Sequence, residues 1–189
     1  MAESPAFAYN HGGIQPEITT TWLGLVGPGV KTRGVDRWTF ADETDYRPTI
    51  LALTGLQDDY QHEGRVLAEE IEPWALPHGV QEDQDAFVAL ATAFKQINAP
   101  LGQLAKDSLK ISTVALESSD TNDATYTRLE REINNITVSR DALANRMLAL
   151  LEDAEFNGKH ISELEALPLI SQAYFLLAYT HLIEELSTP

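Results

Sequence analysis

Asn10-His11-Gly12-Gly13 is the first place in the sequence where residue types suit chemistry. Imidazole is a good zinc ligand, and neighbouring glycines let a metal or substrate come close. A His-Gly-Gly just ahead of an apolar run also sits where open α/β sheets carry ligand groups on loops. One ligand does not hold a metal, so on spacing alone His11 reads as a solvated histidine near a loose terminus. Asp42-Glu43-Thr44-Asp45 suits a cation or acid–base work. Carboxylates there also complement the positive end of a helix, and capping is the favoured role. Asp58-Asp59 with His62 and Glu63 is a polar cluster whose turn-like setting reads as a solvated loop. His78, His160 and His181 each stand alone. Gly24–Val30 lacks the Lys-Ser/Thr ending of a phosphate loop, and no Gly-x-Ser-x-Gly elbow occurs. No residue is assigned a catalytic or cofactor-binding role.

The elements that would position these groups fall into two parts. Residues 1–80 hold most of the glycines and prolines, whereas 81–189 are rich in Ala, Leu, Glu and Asn. Pro73 to Gly79 marks the boundary, because its two prolines interrupt regular structure. Thr19 to Gly27 is β-branched and apolar and ends in Gly-Pro-Gly, which predicts a strand buried on both faces of a sheet. Thr44 or Asp45 then caps a helix with Pro48 in its first turn and Gly55 at its end. Ile50, Leu51, Leu53 and Leu56 would form its buried side.

The second part carries the clearest periodicity. Tyr126, Leu129, Ile133, Ile136, Arg140, Leu143, Met147, Leu150 and Ala154 alternate spacings of 3 and 4, a heptad seam interrupted only by Arg140. Asn122 or Asp123 is placed to cap this helix and Asn157-Gly158 to end it. Arg140 either pairs with a facing carboxylate or reaches to solvent at the bundle edge. Shorter amphipathic helices follow from Phe87, Leu90, Phe94 and Ile97, and from Leu101, Leu104, Ser108, Ile111 and Ala115. Ser162 with Glu165 fits a capping box, and Pro168 is placed to open a last helix from Leu169 to about Leu186.

Composition restricts the partners. The 189 residues contain 13 basic and 29 acidic side chains, a net charge of −16, which opposes binding to nucleic-acid phosphates or an anionic membrane. Zero cysteines exclude disulfides and thiolate metal sites. No run approaches the roughly 18 consecutive apolar residues of a membrane span. The N-terminus lacks the basic and apolar stretches of a secretion signal, which suggests a cytoplasmic location, with an exported parent protein left open.

Four ordered signals then carry a resemblance. Asn10-His11-Gly12-Gly13 comes first, followed by Thr21-Trp-Leu-Gly-Leu-Val-Gly-Pro-Gly-Val-Lys31. Thr44-Asp-Tyr-Arg-Pro-Thr-Ile-Leu-Ala-Leu-Thr-Gly-Leu56 and Asp58-Asp-Tyr-Gln-His-Glu-Gly-Arg-Val-Leu67 complete the series. Together, residues of about 7–67 resemble the C-terminal part of the alkaline phosphatase superfamily catalytic domain. The resemblance implies a central sheet with helical cover and a bimetallic centre, often zinc, that hydrolyses phosphate or sulfate esters. It places His11 as a late metal ligand, and gives Arg47, Pro48, Thr49, Gly64 and Arg65 structural positions.

The family carries its nucleophile and most metal ligands ahead of this segment, and one histidine cannot organise two metals. The expected fold is thus an α/β fragment, a late strand with a covering helix, over 1–80, followed by a helical bundle or long hairpin over 81–189. The expected function is a C-terminal hydrolase fragment, inactive alone and without tightly bound metal, which is either inert or completed by an N-terminal hydrolase chain. The alternative is a non-catalytic helical interaction module, with the 126–154 helix as a route to homo-oligomers.

Overall fold

The computed structural model describes residues 16–187. Seven α-helices follow one another: α1 Pro16–Thr19, α2 Tyr46–Thr54, α3 His78–Gln81, α4 Gln84–Asn98, α5 Gln103–Glu117, α6 Ala124–Phe156 and α7 Glu163–Ser187. Single 3₁₀ turns at Glu43–Asp45, Ala68–Glu70, Pro73–Ala75 and Thr121–Asp123 punctuate the connections. Helices α4 to α7 pack into a bundle in which α6, at 33 residues and so about 50 Å long, touches each of the other three. The Tyr179 hydroxyl, late in α7, donates to Glu132 Oε2 early in α6 at 2.9 Å, so these two run antiparallel.

The helical expectations hold in their main lines. Phe87, Leu90, Phe94 and Ile97 line the buried side of α4, and Leu104, Ile111 and Ala115 that of α5. On the α6 seam, Leu129, Ile136, Leu143, Met147 and Ala154 are buried, so the heptads are used inside the chain. Arg140 Nη1 reaches Asn98 at the end of α4, 3.1 Å away, and its Nε lies 2.9 Å from Asp141. Asn157 caps the C-terminus of α6.

Two helix starts differ. Asn122 and Asp123 take left-handed φ values of 60° and 51° and cap nothing; Asp120 Oδ2 instead accepts from the Thr125 N–H and hydroxyl, each at 2.9 Å. Helix α7 begins at Glu163 and runs through Pro168. Glu165 Oε2 accepts from the Ser162 N–H at 3.2 Å and hydroxyl at 2.7 Å, which starts the helix early. Burial of Ala166, Leu169 and Ala173 then carries the turn across the proline despite its missing N–H.

The α/β expectation for 1–80 is overturned. No strand or sheet occurs among the described residues; one isolated antiparallel bridge joins Val30 to Ile71. Around it the Lys31 N–H donates to the Glu70 carbonyl at 2.8 Å, and the Glu72 N–H to the Gly29 carbonyl at 2.7 Å. The expected strand over Thr19 to Gly27 is irregular after α1, with Trp22 87% and Val26 99% exposed. Apolar, β-branched composition favours a strand only when a neighbouring strand supplies hydrogen bonds and a packed face. No described segment supplies them here.

The expected covering helix does form. It is α2, capped through the Asp42 turn and ended by Gly55 at φ 66°, a left-handed value that favours glycine. Its buried residues are Pro48 and Thr49, while Ile50 and Leu56 face solvent. Downstream, Val66, Ala68, Ile71, Leu76 and Val80 join the same core as Phe87, Phe94, Met147, Leu151 and Leu177. The irregular segment is therefore packed on the bundle, although it contains almost no regular backbone pairing.

Candidate functional site

The densest set of charged groups lies where α2, the 62–70 segment, α4 and α6 meet. Lys95 projects from the buried side of α4 and is 1% exposed. Its Nζ lies 2.8 Å from Asp42 Oδ2 and 2.9 Å from Asp45 Oδ1, and donates to the Thr44 hydroxyl at 2.9 Å. The acidic 42–45 run thus caps a helix start, as its sequence suggests, and also encloses a cation. Burial opposes ionisation of Asp42, but Lys95 and the Thr44 donors outweigh it and hold that carboxyl below its ordinary range.

The residues of the resemblance meet at the same point. Asp45 Oδ1 accepts the Arg65 N–H at 2.9 Å, and Thr49 Oγ1 accepts the Leu67 N–H at 3.0 Å. A Cβ on Gly64 would stand 2.1 Å from the Thr44 carbonyl oxygen, so no larger residue fits without moving backbone. The buried Arg65 guanidinium donates to the Phe40 carbonyl at 3.1 Å and pairs with Glu69. Arg47 pairs with Asp58 and lies 4.7 Å from the Tyr60 ring centroid.

Glu155 of α6 faces this cluster. Its Oε1 accepts the Val66 N–H at 2.7 Å, and its Oε2 is buried without a hydrogen-bond partner. Burial raises its pKa from 4.5 to about 8, against the lowering effects of the Val66 N–H and Arg65. At neutral pH the side chain is a carboxylic acid.

The histidines are distributed otherwise than sequence spacing suggests. His62, expected in a solvated loop, is buried; its Nε2 lies 3.1 Å from Asp58 Oδ1 and its ring packs 5.5 Å from Phe156. Its backbone N–H donates to Glu152 at 3.2 Å. These residues border a cleft of about 370 Å³. His78 and His160 share Glu82, at 3.6 and 3.2 Å. His181 meets Glu184 one turn on in α7 and Asp107 of α5, and only the second contact is hidden from sequence spacing. His11 lies outside the described residues, as does any ligand role for it.

A hydrolytic metal pair does not fit the described residues. Asp107, His181 and Glu184 offer three ligand atoms within 4.8 Å of one another. The Lys110 ammonium sits 3.7 Å from Asp107 and 3.4 Å from Glu184, and the Gln103 amide contacts both Asp107 oxygens at 3.0 Å. Local cations and donors already balance those carboxylates, and three ligands are too few for two metals. A larger cleft of about 660 Å³ between α5 and α6 is lined by Ser112, Leu116, Tyr126, Glu130 and Ile133. In the larger cleft the Tyr126 hydroxyl donates to Glu130 Oε1 at 2.7 Å. The polar centre is a fastening between segments, with its charges paired inside the protein. No protein-family model, curated protein or solved structure matches the chain.

Lys95→Met leaves Asp45 buried without its cation and should destabilise the fold by about 3 kcal/mol. Adding Asp45→Asn should recover part of that loss in urea unfolding; equal midpoints for wild type and Lys95→Met would contradict the pairing. Glu155 supplies a pH signature. Its folded pKa lies above its ordinary 4.5, so the folded state binds the extra proton between the two values. The stabilising effect is full below about 4.5, falls as pH rises, and is gone above about 8. Relative to Glu155→Gln, wild-type stability should therefore decline by about 1 kcal/mol per pH unit from pH 5.5 to 7.5. Parallel urea midpoints for the two proteins across that range would contradict a neutral Glu155.

Proposed function

We propose that the chain works as a non-catalytic helical module that docks a partner through the outer side of α7. The observation that carries this reading is the composition of α7 on both sides. Its inner side buries Ala166, Leu169, Ala173, Leu176 and Leu177 in the bundle. Its outer side exposes Leu164, Leu167, Tyr174, Phe175, Leu182 and Leu186, with Leu164 85% and Phe175 74% exposed. Single exposed apolar residues are ordinary, but a contiguous set along one helix marks an interaction surface. The α6 seam buries Leu129, Ile136, Leu143 and Met147 and leaves Tyr126, Ile133 and Leu150 half-buried, so it has no comparably exposed apolar stripe.

A second reading keeps the chain as part of a metal-dependent phosphate or sulfate ester hydrolase, completed by another chain that brings the nucleophile and metal ligands. Its specific support is the convergence of Thr49, Gly64 and Arg65 on the Asp45 turn. The irregular 20–28 segment does not contribute a sheet to that reading.

A photoreactive residue at exposed position 178 should give a discrete adduct that disappears when Phe175 and Leu182 are replaced by Gln. The same residue at exposed position 145 should give none, and no adduct at 178 would contradict docking through α7. For the second reading, the chain with zinc should leave an aryl phosphate intact, and turnover should appear on mixing with a complementing hydrolase chain. Absence of turnover in the mixture would remove that reading.

A further inference from the structure

We infer that the outer side of α7 receives an apolar helix carrying Lys or Arg at both of its ends; this rests on the docking reading above. Leu164, Pro168, Ser171, Phe175, Ala178 and Leu182 recur at spacings of 4, 3, 4, 3 and 4. Residues of this set lie on the side of α7 away from the core, where all six are exposed. Small Ser171 and Ala178 alternate with large Phe175 and Leu182, which is the relief that a second helix fills with its own side chains. The stripe from Leu164 to Leu186 is about 33 Å long, enough for a partner helix of roughly 22 residues.

Charge selects among the occupants. From Ala166 to Ile183 the helix has no Asp, Glu, Lys or Arg. Exposed Glu163 stands at one end of this uncharged stretch and exposed Glu185 at the other, while Glu165 is held by Ser162 and Glu184 by Lys110. A second copy brings acidic ends against acidic ends in either orientation, on a chain of net charge −16. An anionic membrane meets the same repulsion, and α7 contains no Lys or Arg to counter it. Although α7 is long and apolar enough to cross a membrane, one third of its most apolar window is buried in the bundle. Spanning would strip Leu169, Ala173 and Leu177 from the core. A partner helix with a matching apolar stripe and basic ends satisfies both the stripe and its acidic limits.

The test uses the full chain and two synthetic helical peptides of about 22 residues that share one Leu/Ala heptad stripe. One carries two Lys at each end and the other two Glu, and binding is read by fluorescence anisotropy at low and high salt. The expected result is binding of the Lys-ended peptide at least about tenfold tighter than the Glu-ended one, weakening with salt. Phe175→Gln with Leu182→Gln should lower that affinity about tenfold or more at unchanged net charge, with the circular dichroism melt preserved. Should this variant misfold, Ala178→Gln at the exposed centre gives the same readout. Equal binding of both peptides, or binding indifferent to these substitutions, overturns the inference. A sedimenting dimer formed through this face, or recruitment of the chain to phosphatidylcholine vesicles, also overturns it. Equal peptide binding that is still lost with Phe175→Gln and Leu182→Gln removes the basic ends but leaves docking through α7 standing, so the two failures are distinguishable.

Discussion

An ammonium group inside a protein is tolerated only where carboxylates and hydroxyls replace its water, and Lys95 meets that requirement with Asp42, Asp45 and Thr44. The three partners come from one capped turn, and the lysine comes from the bundle. The pairing therefore fixes the start of α2 against α4. Asp45 then uses the same oxygen to accept the Arg65 N–H, which extends the attachment by twenty residues. A packed hydrophobic face alone would leave this irregular segment free to slide. Directional contacts to a buried charge give it one position.

The same device recurs along residues 62–67. The backbone N–H groups of His62, Arg65, Val66 and Leu67 donate to Glu152, Asp45, Glu155 and Thr49. In a sheet those donors would face a neighbouring strand. Here side chains from two helices and a turn take that place, which is how a buried segment satisfies its backbone without a ladder. Glu155 can do this near neutrality because burial keeps it protonated. Its acceptor oxygen serves Val66 without an unpaired charge deep in the core.

Much of the helical part was legible in the sequence because its signals are local. The 3- and 4-residue spacing of α6, the Phe87–Ile97 face of α4 and the Ser162–Glu165 capping pair depend on neighbours within a few residues, although the start of α7 was placed too late, at Pro168. The irregular course of Thr19–Gly27 was not legible, because a strand depends on partners elsewhere and composition says nothing of whether they are present. The buried role of Lys95 was hidden for the opposite reason. A lysine between Phe94 and Gln96 carries no sign that Asp42 and Asp45, some fifty residues earlier, will meet it. The sequence names the Asp58–His62 cluster but not its burial, which depends on Glu152 and Phe156 of α6, and the Asp107–His181 pair was missed because it joins two helices. Thr49, Gly64 and Arg65 come together near the Asp45 turn, whereas His11 lies outside the described residues.

The structure thus has an inward logic, in which buried charges fasten an irregular segment to a bundle, and an outward one, in which α7 keeps a second apolar side. The first is the central claim, and native-state hydrogen exchange of the Arg65, Val66 and Leu67 amides tests it most directly. If side-chain acceptors fasten this segment as described, these three amides exchange only with global unfolding, at the same free energy as the core amides of α4 and α6. Exchange through a local opening several kcal/mol below that of α4 would contradict the claim.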